Sequence, residues 1–314
     1  MKGVIQTILS VSLLLVFSIE IPKRAFRFYE KGEIDKTVDA LNKSLGKSAN
    51  NPGANYLYAI LHVDTAFWGY HVDSAYSYIN TAIEDFKTVT EAKDLASLAE
   101  LNVDSISMEN LKDKIDSLSF ELILDKHTIS DYEWFMYTHD DAAQIPEAIS
   151  FRNHIFFENQ ALENTHESYW AYMTTYPDGE DFEVAENRYK KLLFEDSTAD
   201  NSLKSHADFL EEYPGTPYRA ISEDRIFELS TTLNSIPVYT DFLKKYPNPK
   251  FKAIIIPRLY HIVKDKYGSD KFQDYFEFLP VSDSLQRVMD LEQGVWMPKL
   301  VDDVFSFMLP SGEV

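Results

Sequence analysis

Apolar residues recur along most of this chain at the spacing of an amphipathic helix rather than a strand. Ile34, Val38, Leu41 and Leu45 step by four, three and four, and Val72, Tyr76, Ile79 and Ile83 repeat the step. Leu111, Ile115, Leu118 and Leu122 do the same, on a helix with a capping residue at Asp104 or Ser105. Leu203, His206, Phe209 and Leu210 fall within about 120° of one another at 100° per residue, again one helical stripe. A second stripe follows at Tyr218, Ile221, Arg225 and Leu229, with Ile226 at its edge. The pattern predicts helices in succession, broken by short polar turns.

The helices come in copies. Stretches 168–192, 205–229 and 238–262 align without gaps. Each carries Tyr-Pro, at Tyr176-Pro177, Tyr213-Pro214 and Tyr246-Pro247, with an apolar pair just before it at Tyr172-Met173, Phe209-Leu210 and Phe242-Leu243. An arginine stands at one fixed offset after each proline, as Arg188, Arg225 and Arg258, followed by Tyr189 and Leu192, Ile226 and Leu229, and Leu259 and Ile262. A weaker copy precedes them, with Trp134-Phe135-Met136 as the apolar element, His139-Asp140 in place of Tyr-Pro, and Arg152 at the arginine position. A degenerate echo follows at Phe276–Pro280. Proline cannot continue a helix and biases the preceding residue away from helical backbone, so the first helix should end near the tyrosine. Gly215-Thr216-Pro217 and Asn248-Pro249 supply turn chemistry for a second helix to begin. Each unit reads as a helix–Pro turn–helix hairpin of about 34 residues, which cannot bury its stripe without a stacked neighbour.

Near the N-terminus, Phe28-Tyr29-Glu30-Lys31-Gly32-Glu33-Ile34, a helix, and then Asn51-Pro52 resemble the second-helix start and closing proline of tetratricopeptide (TPR) repeats. The resemblance covers Ile21 to about Val89 and, more loosely, Ser130 to Leu279. The chain departs from the family pattern where the large Val38 and Tyr76 replace a usual alanine, and the W-x2-L-G-x2-Y opening is absent. The basic ligand clamp of some members cannot be placed, so no binding residue carries over. Periodicity and resemblance together lead to an all-α fold: a right-handed superhelical solenoid of paired antiparallel helices over Ile21–Leu279. The resemblance implies protein–protein scaffolding rather than chemistry.

The two ends differ from this array. Lys2 precedes a charge-free run from Gly3 to Ile19, apolar from Ile8 to Phe17, and Val16-Phe17-Ser18 offers a peptidase site. The run is short for a spanning helix, and Gln6, Thr7, Ser10 and Ser12 dilute it. Residues 1–18 therefore read as a cleaved export signal, with a retained membrane anchor and then a buried helix as alternatives. Residues 21–90 read as TPR-like repeats, 91–127 as connecting helices and 128–280 as the helix–Pro turn–helix repeats. The tail, 281–314, contains Val304–Leu309, which reads as a strand, and then a turn at Pro310-Ser311-Gly312. Its run from Trp296-Met297-Pro298 to Ser311-Gly312 faintly resembles the opening of WG-type β-repeats.

Composition narrows the function classes. The 314 residues hold only ten glycines and no Gly-rich phosphate loop, while 45% hydrophobic and 14% aromatic content is ample for a core. Thirty Lys and Arg against 51 Asp and Glu leave a net charge of −21, which excludes a general nucleic-acid surface and selects basic or neutral partners. Without cysteine there is no disulfide and no thiolate chemistry. His154 and Glu158 have the spacing of two ligands on one helix face, but no third ligand can be named. His139-Asp140-Asp141 reads as a polar turn, Asp302-Asp303 as the lead-in to the tail strand, and no local signature orders a Ser-His-Asp triad. Tyr169, Tyr172, Phe209, Tyr239 and Phe242 fall on core stripes rather than on a glycan platform.

Arg188, Arg225 and Arg258 lie within apolar stripes, either as a ladder for anions or as buried caps on the last carbonyls of a neighbouring first helix. Because they repeat with the fold unit, the structural role is the stronger expectation. No cofactor or metal is expected. The leading expectation is a non-catalytic exported scaffold, periplasmic or envelope-associated, that binds a protein or peptide and meets membrane only through an uncleaved N-terminal segment. The alternatives are the helical module of a larger cell-envelope protein with a β domain beyond Val314, and an extracytoplasmic carbohydrate-binding component.

Overall fold

Each apolar stripe must lie against another, and the chain answers with fourteen α-helices between Lys23 and Tyr267. The computed structural model describes residues 20–268, 271–272, 274, 283, 285–288, 297–301 and 304–308. The expected signal or anchor at 1–18, the Phe276–Pro280 echo, Trp296, Asp302-Asp303 and the turn at 310–312 lie outside the described residues. The chain divides into two compact units, one comprising residues up to Asn164 with Ala171–Ala185, the other Thr165–Trp170 and Glu186 onward.

The first unit begins with α1 (Lys23–Glu30), α2 (Ile34–Leu45), α3 (Pro52–His62) and α4 (Val72–Lys87), each packed on the next. Gly32, at φ +70°, makes the bend between α1 and α2 that a side chain would strain. Helix α3 is buried from Pro52 to Ala59 because neighbours cover every side of it. A Cβ on Gly53 would stand 3.0 Å from Pro22 and 3.3 Å from Leu98, so glycine sets that close approach. Asn51 starts α3: its Oδ1 accepts from the Ala54 amide at 3.0 Å, and its Nδ2 donates to the Glu20 carbonyl at 2.6 Å and to Ser44 Oγ at 3.2 Å. The Asn51-Pro52 pair thus opens a helix as well as closing the preceding hairpin. Helix α5 (Ala92–Ala99) contributes Leu98, and α6 (Ser105–Lys126) packs on α4. Asp104 caps α6, accepting from Ser107 N at 2.8 Å. Leu41, Leu57, Ile79, Leu98 and Ile115 form one fully buried core.

From α6 onward the copies take over: α7 (Ile129–Thr138), α8 (Ile145–Glu163), α9 (His166–Thr175), α10 (Phe182–Ser197), α11 (Leu203–Glu212), α12 (Arg219–Ser230), α13 (Ile236–Lys245) and α14 (Pro249–Tyr267). The four first helices, α7, α9, α11 and α13, end one residue before His139, Tyr176, Tyr213 and Tyr246. Each of those residues donates its amide to an aromatic residue four back, at 2.7 Å to Phe135 and at 2.8 Å to Tyr172, Phe209 and Phe242. The turn then repeats in three copies: Ala142 N bonds His139 O, Gly179 N bonds Tyr176 O, and Thr216 N bonds Tyr213 O. In the last copy Asn248-Pro249 starts α14 at once, with the Asn248 side chain accepting from Lys250 N at 3.0 Å.

Each first helix also begins alike. His127, Asn164, Asn201 and Asn234 all have left-handed backbone, with φ of 51°, 51°, 51° and 44°. A Thr or Ser follows each, and in three copies its hydroxyl caps the helix: Thr128 to Asp131 N, Thr165 to Ser168 N and Ser202 to Ser205 N. Five residues past the left-handed position stands a buried ring. The Tyr132 hydroxyl lies 2.7 Å from His127 Nδ1, His206 Nε2 lies 3.1 Å from Asn201 Oδ1, and the Tyr239 hydroxyl donates to Asn234 Oδ1 at 2.7 Å.

Among the described residues of the second unit, α11 packs on α12, α12 on α13 and α13 on α14, around Phe209, Ile226, Phe242, Phe251, Ile255 and Leu259. Beyond the helices, β1 (Met297–Val301) and β2 (Val304–Met308) pair antiparallel, with Val301 opposite Val304. The strand partner therefore precedes β2 in the chain.

The repeated junction is tested at Asn234. Asn234→Ala places a Cβ in left-handed backbone and removes the acceptor of the Tyr239 hydroxyl, so it should cost about 2–3 kcal/mol in urea unfolding of the full chain. Asn234→Gly keeps the backbone and loses only the hydrogen bond, costing about 1 kcal/mol. Equal losses in the two variants would refute the role of left-handed backbone.

Candidate functional site

The repeated arginines are not buried caps. Arg188 and Arg258 are exposed and Arg225 is half-buried, its side chain 34% accessible. The expectation placed each of them at the centre of its helix's core stripe; the buried face lies one residue on. Ser222 and Ile226 are buried on α12 while Ile221 is 55% exposed, and Ile255 and Leu259 are buried on α14. One residue is 100° of helix, enough to carry the guanidinium off the core. Two of the arginines do reach the helix-start junction. Arg225 Nε donates to Asn201 Oδ1 at 2.9 Å and its Nη1 to Glu228 at 2.9 Å, while Arg258 Nη1 lies 3.3 Å from the Tyr239 hydroxyl. They brace the start of a first helix, not the carbonyls at the end of one.

His139 is not a solvated polar turn either. Its ring is fully buried, stacked on Phe135 at 4.8 Å and tilted against Tyr76 at 3.9 Å. Nδ1 lies 2.8 Å from Asp116 Oδ1 and Nε2 lies 3.0 Å from Ser119 Oγ. Lys112 Nζ adds a bond to Asp116 at 3.1 Å and a second to Asp141. Burial lowers the Lys112 pKa, but Asp141 and Asp116 more than offset it, so the ammonium is held above its ordinary value. Asp141 is held below its own by Lys112. The order Ser119–His139–Asp116 is that of a hydrolase triad, which sequence reading missed because the residues lie on α6 and after α7. The surroundings are unlike one. Asp116 and Ser119 are 2% exposed, and interior amides of α6 are spent on the helix rather than free to hold an oxyanion. The cluster instead fastens α6 to the end of α7.

His154 lies 3.6 Å from Glu158 and closer, at 2.9 Å, to Asp181 Oδ2. Among the described residues no group of three or more His, Asp or Glu side chains is placed to hold a metal ion. The aromatic residues assigned to the core, Tyr169, Tyr172, Phe209, Tyr239 and Phe242, are all at most 5% exposed.

Several surface hollows lie among the described residues. One of about 400 Å³ between α1 and α2 gathers Arg24, Lys36, Lys43 and Lys47, with Lys47 paired to Glu20 at 2.7 Å and Arg24 over the Phe28 ring. A second, about 390 Å³, lies beside Ser119, Leu122, Lys126 and Trp134. Two more flank α11: an apolar groove of about 260 Å³ and an acidic one of about 240 Å³ that share Phe209. The chain matches no protein-family model and no curated protein. Among the described residues no helix is long and apolar enough to cross a membrane.

Two predictions follow from side-chain environment. Arg225→Met and Arg258→Met should each shift stability by less than about 1 kcal/mol, since pairs that remain open to solvent, as the half-buried Arg225 and the exposed Arg258 do, contribute little. Asp116→Ala strips His139 and Lys112 of their buried acceptor and should cost about 3–5 kcal/mol. Thermal melts of the three variants check the contrast.

The histidines should titrate in a definite order. Burial, and then Arg225, holds His206 below the ordinary 6.5, and burial holds His62 below it. The folded chain keeps these two neutral where the unfolded chain takes up a proton, so their contribution to stability falls as pH drops through 6.5 toward the lowered values. His154 runs the other way: its hydrogen bond to Asp181 raises its pKa, and the stabilisation is full below 6.5 and lost as pH rises through the raised value. Imidazole NMR titration should place the His154 midpoint above those of His62 and His206; the reverse order would refute these assignments.

Proposed function

We propose that this chain is a non-catalytic, exported TPR-like scaffold that holds a protein or peptide partner on its helical hairpins. The observation that carries the reading is the junction repeated at His127, Asn164, Asn201 and Asn234, each followed by a helix of one length and the same amide bond at its end. Repeated hairpins are the units from which solenoids build the extended surfaces they offer to partners, and this supports the scaffold reading. Export rests on Lys2 and the apolar run after it. The net charge of −21 favours a basic or neutral partner. A second reading, the helical module of a larger cell-envelope protein, draws on the β1–β2 hairpin that follows the helices. It is decided by whether the reading frame runs past Val314 into W- and G-containing repeats.

The scaffold reading is tested with the full chain, affinity-tagged and crosslinked in its own cells before lysis. One partner should co-purify in comparable amount from the envelope fraction. Recovery of the tagged chain alone, or from the cytoplasm, would overturn it.

A further inference from the structure

Helix α11 is flanked by two hollows of opposite character within the second unit. On one side Tyr189 and Leu193 of α10 face Phe209 and Tyr213 across a groove of about 260 Å³, closed below by Thr216 and Pro217 of the turn. Its lining is almost wholly apolar, Lys190 being the one charged residue on it and already paired to Glu186 at 2.9 Å, and the half-exposed Trp170 ring stands 5.3 Å from Tyr189. The lip at Gly215 is open: a Cβ there would meet nothing within 4 Å. On the other side of Phe209 lies the acidic hollow, with Asp200, Asp208 and Glu212 against one cation, Lys204, which Asp208 already pairs. Glu212 accepts from the Tyr213 hydroxyl at 3.0 Å, so the residue on the apolar wall orients a carboxylate on the acidic side.

We propose that α11 is the docking site of the partner, and that the partner presents a basic peptide segment: an aromatic or branched aliphatic side chain seated in the Tyr189–Tyr213 groove, with Lys or Arg beside it reaching Asp208 and Glu212. This rests on the scaffold reading and names the chemistry of its ligand. The two hollows share Phe209, so one short segment reaches both. The apolar groove has the size for a single large side chain, the anchor that dominates many interfaces. The acidic flank fixes the sign of the neighbouring charge, adds a salt-dependent on-rate and repels acidic segments. A bare apolar groove would not choose among partners; this one is coupled to a carboxylate pair that does.

The test uses the full chain and three fluorescein-labelled nonapeptides. The first carries a central tryptophan flanked by lysine and arginine, the second has glutamate in place of those cations, and the third has alanine in place of the tryptophan. Fluorescence polarisation should show the first binding at least roughly tenfold tighter than either control, and weakening as salt rises. Gly215→Trp fills the groove from its open lip without entering the core and should abolish this preference. The exposed pair Asp208→Asn with Glu212→Gln should lower affinity by roughly tenfold and flatten the salt dependence. Circular dichroism and melting of both variants should match wild type, so that lost binding is not lost fold. Equal binding of the three peptides, or unchanged binding by Gly215→Trp, would overturn the proposal. So would a glycan array bound by wild type and lost in Gly215→Trp, since the groove would then be a sugar platform. If Gly215→Trp still captures a partner by in-cell crosslinking, the scaffold reading stands and the docking site lies elsewhere.

Discussion

One left-handed residue, held by a ring five positions on, organises the repeated part of this protein. At His127 and Asn164 positive φ directly follows the last residue of the preceding helix, at Asn201 and Asn234 it stands four residues past it, and in all four copies the next helix starts two residues on. At His127, Asn201 and Asn234 a hydrogen bond joins that side chain to the buried ring, which satisfies the polar atom of a group that belongs in the core. The ring then fixes the rotation of its helix, and Phe135, Tyr172, Phe209 and Phe242 three residues further on are buried in consequence. The amide after the helix returns to that same aromatic residue and sets the turn. Helix start, phase and stop are thus one connected set of contacts about ten residues long.

First helices were legible because Tyr-Pro marks the end of three of the four and one aromatic register, Tyr132–Phe135, Tyr169–Tyr172 and Tyr239–Phe242, lies in the core, although Trp134, Tyr137 and Trp170 on the same helices are exposed. Second helices were harder. On α12 the buried face contains Ser222 and Glu223, the latter paired to Arg219 at 2.9 Å, while the apolar Ile221 faces outward. Hydropathy follows Ile221, packing follows Ser222, and the phase shifts by one residue. The arginines then move from the core to its rim. The left-handed residues carry no hydropathy signal at all, since asparagine is polar wherever it stands. What marks them is the Asn-Ser or Asn-Thr pair at constant distance from the tyrosine, at Asn164-Thr165, Asn201-Ser202 and Asn234-Ser235. The candidate groove was less legible still, because Tyr189 and Tyr213 become a wall only when the turn brings them together.

The first copy shows what happens when the module changes one of its own parts. Tyrosine at the turn, as in Tyr176, Tyr213 and Tyr246, carries its polar atom at the far end of a long ring. Histidine is shorter and has polar atoms on both sides, so a buried His139 must find a partner for each nitrogen. Asp116 and Ser119, one helical turn apart on α6, provide them, and Lys112 balances the buried carboxylate. Apolar packing alone would let α6 meet α7 in several rotations; a ring bonded at both nitrogens accepts one. We therefore read His139, where the later copies carry tyrosine, as the residue that ties the connecting helix α6 to α7 in one register.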